Sequence, residues 1–213
     1  MNFSKDNMLL YAVTDSRWTG KQTICEQVES ALKGGVTCVQ LREKHLSRES
    51  FLAEALEMKE LCHRYGVLLL INDNVDIALE SQADGVHVGQ SNMAAASARE
   101  LLGPDKIVGV TARTVEQAKA AEAAGASYLG SGAVFGSTTK EDARPLDHAV
   151  LRQITEAVSI PVVAIGGITE ENLPLLHGTG VDGVALVSTI FSAPDIESKC
   201  RELKALSREM VKP

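Results

Sequence analysis

Residues 38–72 read CVQLREKHLSRESFLAEALEMKELCHRYGVLLLIN. An apolar run at 38–42 leads into a helix-period segment at 47–66, and a second apolar run follows at 68–72. That order is a strand–helix–strand unit, with Gly66 where a helix closes on a left-handed cap. The strand runs, LLLI at 68–71 most clearly, are continuously apolar rather than alternating. Strands of that kind are covered on both faces, as in a parallel sheet.

The unit repeats in both directions. Further apolar runs lie at 9–15, 85–88, 107–111, 128–134, 162–166 and 183–187, making eight. Helix-period segments such as KQTICEQVESALKGG at 21–35 and TVEQAKAAEAAGA at 114–126 separate them. In the first of these Ile24, Val28, Ala31 and Leu32 share one face, with charges opposite. Gly34–Gly35, Gly125 and Gly180 supply further helix ends.

Eight strand–helix units in 213 residues predict an α/β chain folded as one compact (β/α)8 TIM barrel over residues 1–213. An open doubly wound sheet usually has fewer strands and a glycine-rich turn after the first. YAVTDSRWTG at 11–20 does not supply that turn.

Composition narrows the function classes. With 21 Lys+Arg against 28 Asp+Glu the net charge is −7, which argues against a nucleic-acid binder. No apolar run approaches the roughly 20 residues of a membrane helix, and MNFSKDNMLLYAVTD at 1–15 has no secretory leader pattern. Cys25, Cys38, Cys62 and Cys200 form no CxxC and no metal-like pairing with histidine, so they read as intracellular thiols and the chain as cytoplasmic. A homo-oligomer is compatible with everything above.

A barrel of this kind builds its active site from the C-terminal ends of its strands. The polar residues there are Thr14 and Asp15; Gln40, Arg42, Glu43 and Lys44; Asn72, Asp73 and Asn74; His87; Gly89 to Asn92; Thr111 and Arg113; residues 136–140; Gly166 and Gly167; Ser188 and Thr189.

Three features favour a phosphorylated small-molecule substrate. GGI at 166–168 and VST at 187–189 follow the seventh and eighth strands, where barrels often hold phosphate with backbone N–H groups. GSTTK at 136–140 places three hydroxyls and a lysine together, although a plain polar loop has the same composition. Gln40 and Arg42 share one face of their strand. Asp73 ends the run LLLIND as a helix cap or a magnesium ligand. His87 divides evenly between a core histidine and a functional one. Met58, Met93 and Trp18 read as packing or lid residues. Neither HExxH nor GxSxG occurs.

Together the motifs YAVTD, VQLREK, INDNVDIA, DGVHVGQ, VGVTART, GAVFGSTTK, VVAIGGI and VDGVALVS resemble, in order and spacing, the thiamine-phosphate synthase family from about residue 10 to about residue 191. The resemblance implies a transferase of thiamine biosynthesis. It would join hydroxymethylpyrimidine diphosphate to thiazole phosphate and release diphosphate, with Mg2+ as cofactor.

It assigns the pyrimidine diphosphate to Gln40, Leu41, Arg42, Glu43, Lys44, Asn72, Thr111 and Lys140. The thiazole phosphate falls to Ser137, Thr138, Thr139, Gly167, Val187 and Ser188, and the metal to Asp73 and Asn92. Arg42, Lys44 and Lys140 would carry the catalytic charge stabilisation, and His87 has no required role.

One position departs from the family pattern: Asn92 stands where an acidic residue is usual, and an amide brings no negative charge. Two other readings are a thiazole tautomerase-like relative, which need not keep the diphosphate set, and a non-catalytic binder of thiamine-pathway phosphates.

Overall fold

The computed structural model describes residues 3–20, 22–89, 92–136 and 145–212. Eight parallel strands close in sequence order: β1 (Leu10–Val13), β2 (Cys38–Leu41), β3 (Leu68–Asn72), β4 (Gly85–Val88), β5 (Ile107–Thr111), β6 (Tyr128–Gly132), β7 (Val162–Ile165) and β8 (Gly183–Leu186). Leu10 opposite Val184 joins the last strand to the first. The (β/α)8 barrel expected from the sequence is the fold observed.

Around it lie α1 (Ile24–Lys33), α2 (Arg48–Arg64), α3 (Val75–Glu80), α4 (Asn92–Leu102), α5 (Val115–Ala123), α6 (His148–Ala157), a short α7 (Ser188–Phe191) and α8 (Ile196–Met210). Local chemistry explains where they begin. Thr23 accepts from the Glu26 amide at 3.2 Å while the Glu26 carboxylate accepts from the Thr23 amide at 2.7 Å, a reciprocal cap. Ile24, Val28, Ala31 and Leu32 of α1 are buried, the face its spacing predicts. Gly35, Gly66 and Gly125 take the positive φ that ends a helix.

One unit departs from the repeat. Between β7 and β8 there is a single 3-10 turn, Leu173–Leu176, with Pro174 in its first turn and Gly178 and Gly180 just beyond. Proline starts a helix but cannot continue one, and the two glycines take positive φ, so nothing longer forms.

Strand alternation separates two apolar layers. Val39, Leu41, Leu69 and Ile71 face the helices, whereas Tyr11, Leu68, Leu70, Tyr128 and Val163 fill the barrel. Met58 is fully buried in the outer layer, and Trp18 is partly exposed just after β1. The interior admits two tyrosines because its neighbours are small. A Cβ on Gly109 would lie 2.2 Å from the Tyr128 ring.

Candidate active site

All eight strands point their C-terminal ends at one rim. On the β2–β3 side, the Gln40 side chain is buried and its Nε2 donates to the Tyr11 hydroxyl at 2.6 Å. Leu41 turns its side chain into the outer layer, so its backbone is what it can offer a ligand. The Arg42 amide donates to Thr14 Oγ1 at 2.9 Å, and its guanidinium stands 3.6 Å from Asp15. Asp15 is itself held by Arg17 at 2.7 Å; that hydrogen bond keeps its carboxyl below the usual range. Arg42 is thus propped at the rim by a buried carboxylate with a second cation attached.

Glu43, the next residue, is half-buried. Burial first, then the Asp15 charge, raises its carboxyl, and one of its buried oxygens has no hydrogen-bond partner. A carboxylate repels a diphosphate, so what Glu43 can offer that ligand is its backbone. Neighbouring Glu54, on α2, also has a buried oxygen without a partner. Burial, with Glu43 and Glu57 adding like charge, pushes it up to about 7.

The folded state therefore binds the Glu54 proton more tightly than the unfolded state does. Stability is lost as pH rises from about 4.5 towards 7. Glu54→Gln is expected to stabilise the fold at pH 8, by about 1 kcal/mol after discounting for its partial exposure, and to change little at pH 4.5. Thermal melts at both pH values check this, and an equal effect at both would refute the cause.

Asn72 ends β3 opposite His87. Asp73 follows with φ +61°, a left-handed backbone position that turns its carboxylate to the rim. Lys44 Nζ lies 2.8 Å from it, with the two side chains 42% and 52% exposed. Such an open pair is worth about 0–1 kcal/mol, so either partner can be exchanged for a ligand at small cost. Asn74, by contrast, caps α3 by accepting from the Ile77 amide at 3.0 Å. Asn92 opens α4, after the strand that neighbours β3.

Across the rim, Gly166 and Gly167 have φ +101° and +65°. A Cβ on Gly167 would lie 2.6 Å from the Phe135 carbonyl oxygen, so only glycine lets the β6 and β7 loops close on each other there. Asn172 holds the turn by donating to the Gly167 carbonyl at 2.9 Å. Val187 precedes α7, and Ser188 begins it. Thr189 donates to the Ile168 carbonyl at 2.5 Å and ties the loop after β7 to the chain after β8.

The expectations for Ser137, Thr138, Thr139 and Lys140 fall outside the described residues, as do Gln90 and Ser91. For Asn92 only the backbone is described. Among the described residues, no three His, Cys, Asp or Glu side chains are grouped as a metal site would need. Thr111 and His87 do meet, at 3.1 Å, inside the barrel mouth.

Sequence reasoning passed over Tyr11 and Tyr128, whose hydroxyls meet at 2.9 Å. Parity held the signal. Tyr11 is two residues before Val13, which pairs with Gln40, and both share the inward face.

A parallel barrel with Arg42, Lys44 and Asp73 at one side of its mouth and a glycine turn beside a short helix at the other has the form of an enzyme for phosphorylated small molecules. Residues 10–190 match the thiamine monophosphate synthase family. The thiamine-phosphate synthase of Clostridium acetobutylicum is 49% identical over 192 residues, 90% of this chain and 91% of that one. That of Ruminiclostridium cellulolyticum is 48% identical, covering 94% and 95%. The structure of the thiamine phosphate pyrophosphorylase from Pyrococcus furiosus superposes with a TM-score of 0.89 at 36% identity, covering 98% of this chain and 99% of that chain. The chain belongs to the thiamine monophosphate synthase family.

Proposed function

We propose that the chain joins hydroxymethylpyrimidine diphosphate to thiazole phosphate and releases diphosphate. It is a transferase of thiamine biosynthesis with thiamine-phosphate synthase activity. The observation that carries the residue-level reading is the Arg42, Lys44 and Asp73 arrangement at the ends of β2 and β3, with Lys44 and Asp73 already 2.8 Å apart.

Diphosphate leaves a benzylic-type carbon on an electron-rich aminopyrimidine, so negative charge grows on the leaving group as the carbon becomes cationic. Arg42, Lys44 and Lys140 stabilise that growing charge. Gln40, Asn72, Thr111 and the backbone of Leu41 and Glu43 orient the pyrimidine half. Ser137, Thr138, Thr139, Gly167, Val187 and Ser188 hold the thiazole phosphate, so that the thiazole nitrogen attacks in line. Fixing two substrates together supplies much of the rate, and no covalent enzyme nucleophile is required.

Hard oxygen donors at Asp73 and Asn92, beside substrate phosphate oxygens, suit Mg2+, which would neutralise diphosphate charge when bound. Four free thiols, three of them buried, suit a cytoplasmic enzyme. No described helix is long and apolar enough to cross a membrane.

Turnover with both substrates and Mg2+ tests the reading. Lys140→Ala is expected to lower kcat by about 100-fold while the KM for thiazole phosphate moves less than about threefold, since the ammonium acts mainly in the transition state. An intact kcat would remove Lys140 from the chemistry. Turnover of the thiazole phosphate alone would instead favour the tautomerase-like reading, and binding without turnover the non-catalytic one. The presence of Gln40, Arg42, Lys44, Asn72, Asp73 and Lys140 argues against the tautomerase-like reading.

Gly167→Ala separates the two subsites. Its Cβ meets the Phe135 carbonyl, so the turn must shift and its hydrogen bonds to an anion, worth about 1.5–3 kcal/mol each, are lost. Thiazole phosphate affinity is expected to fall at least roughly tenfold, with pyrimidine diphosphate affinity held. Separate calorimetric titrations decide, and equal losses would mean the subsites are not divided this way.

A further inference from the structure

Five side chains form one hydrogen-bonded chain through the barrel interior. Gln40 Nε2 on β2 meets the Tyr11 hydroxyl on β1 at 2.6 Å, and Tyr11 meets Tyr128 on β6 at 2.9 Å. Tyr128 meets His87 Nδ1 on β4 at 2.8 Å, and His87 Nε2 meets Thr111 Oγ1 on β5 at 3.1 Å. The space for it is built in. A Cβ on Gly109 would strike the Tyr128 ring, and one on Gly130 would lie 3.0 Å from His87 Cε1.

We infer that Tyr11, Tyr128 and His87 are positioning residues, a relay that fixes the donor and acceptor order shown to the pyrimidine by Gln40 at one end and Thr111 at the other. This rests on assigning those two end residues to the pyrimidine subsite.

The order follows from valence. Gln40 Nε2 can only donate, so the Tyr11 oxygen accepts and its own hydrogen goes to Tyr128. Tyr128 then donates to His87 Nδ1, which must be the unprotonated nitrogen. His87 Nε2–H donates to Thr111, whose hydroxyl hydrogen is left for the substrate. Burial raises both tyrosine hydroxyls well above their usual pKa, so both keep the protons the chain needs.

The pocket thus offers an acceptor, the Gln40 carbonyl oxygen, and a donor, the Thr111 hydroxyl. An aminopyrimidine complements that pair with its amine and a ring nitrogen. A 4-oxo pyrimidine inverts the pattern and could be met only by turning over every bond in the chain at once. A buried site built for one hydrogen-bond pattern rejects the inverted one strongly.

The test reads His87 directly, by 15N NMR of the histidine-labelled full-length enzyme at pH 8 without substrate. The wild type is expected to show protonated Nε2 and unprotonated Nδ1. Gln40→Glu turns the end group into a pure acceptor, so the whole order reverses and the proton moves to Nδ1. Tyr11→Phe, which removes the hydroxyl that Tyr128 bonds, is expected to give a mixture of the two tautomers.

Calorimetry then compares the amino and 4-oxo pyrimidine diphosphates. A wild-type preference of at least about 100-fold is expected to drop to roughly tenfold in Tyr11→Phe. An unmoved His87 spectrum in both variants overturns the relay, whatever the pyrimidines do. A moved spectrum with unchanged selectivity overturns its role in pyrimidine choice and returns the fault to the subsite assignment.

Discussion

Asp73→Asn is expected to lower turnover by about 100-fold or more at millimolar Mg2+ while leaving the melting point nearly unchanged. Both halves follow from the position of Asp73. It is the carboxylate in the proposed metal pair, because Asn92 carries no charge. Its contact with Lys44 is open to solvent and contributes about 0–1 kcal/mol to the fold.

The charge count predicts more. With one carboxylate, Mg2+ affinity of the free protein should be poor, and the ion should bind chiefly together with the diphosphate. Asn92→Asp restores the second carboxylate and is expected to lower the Mg2+ concentration for half-maximal turnover roughly tenfold, about 1.4 kcal/mol. Activity against Mg2+ concentration, measured for the wild type and both variants, checks this. A curve unmoved in Asn92→Asp, with Asp73→Asn fully active, would take both residues off the metal.

The strands were legible because parallel barrel strands are buried on both faces and leave unbroken apolar runs. The expected 68–72, 85–88 and 107–111 coincide with β3, β4 and β5. Strand ends were less legible. The run to 134 overshoots β6, which stops at Gly132; Ala133 and Val134 stay buried, but the Ala133 carbonyl turns to accept from the Leu146 amide. Apolarity alone does not register that change of partner.

The helix expected to close at Gly180 is likewise cut short. Leu173 and Leu176 are buried at helical spacing, yet Pro174, Gly178 and Gly180 leave only a 3-10 turn. At the rim, Arg42, Lys44 and Asp73 were visible as polar groups where an apolar run stops. The relay was not, because Tyr11 and Tyr128 look like core aromatics until the barrel register brings their hydroxyls together.

That relay depends on space, and space inside a barrel is set by glycine. Gly109→Ala is expected to destabilise the fold by about 3 kcal/mol. Its Cβ would stand 2.2–2.3 Å from the Cζ, Oη and Cε1 atoms of Tyr128, a fully buried ring. The ring cannot swing aside freely, since its hydroxyl is bonded to both Tyr11 and His87 and Phe3 lies 6.2 Å from it. Overpacking costs about 1–3 kcal/mol, and each hydrogen bond lost adds about 1. For a domain of this size the melting point should fall by roughly 6–12 °C. Gly103→Ala serves as the control. It meets nothing within 4 Å and suffers only its φ of +73°, so it should cost about 1 kcal/mol. Adding Tyr128→Leu to Gly109→Ala removes the collision and should recover part of the lost stability, without recovering pyrimidine affinity, because the chain to His87 stays broken. Thermal melts and calorimetry on the same proteins separate the two effects. A Gly109→Ala enzyme melting within about 2 °C of the wild type would mean that the interior has room to spare, and that Tyr128 is not held where its hydrogen bonds place it.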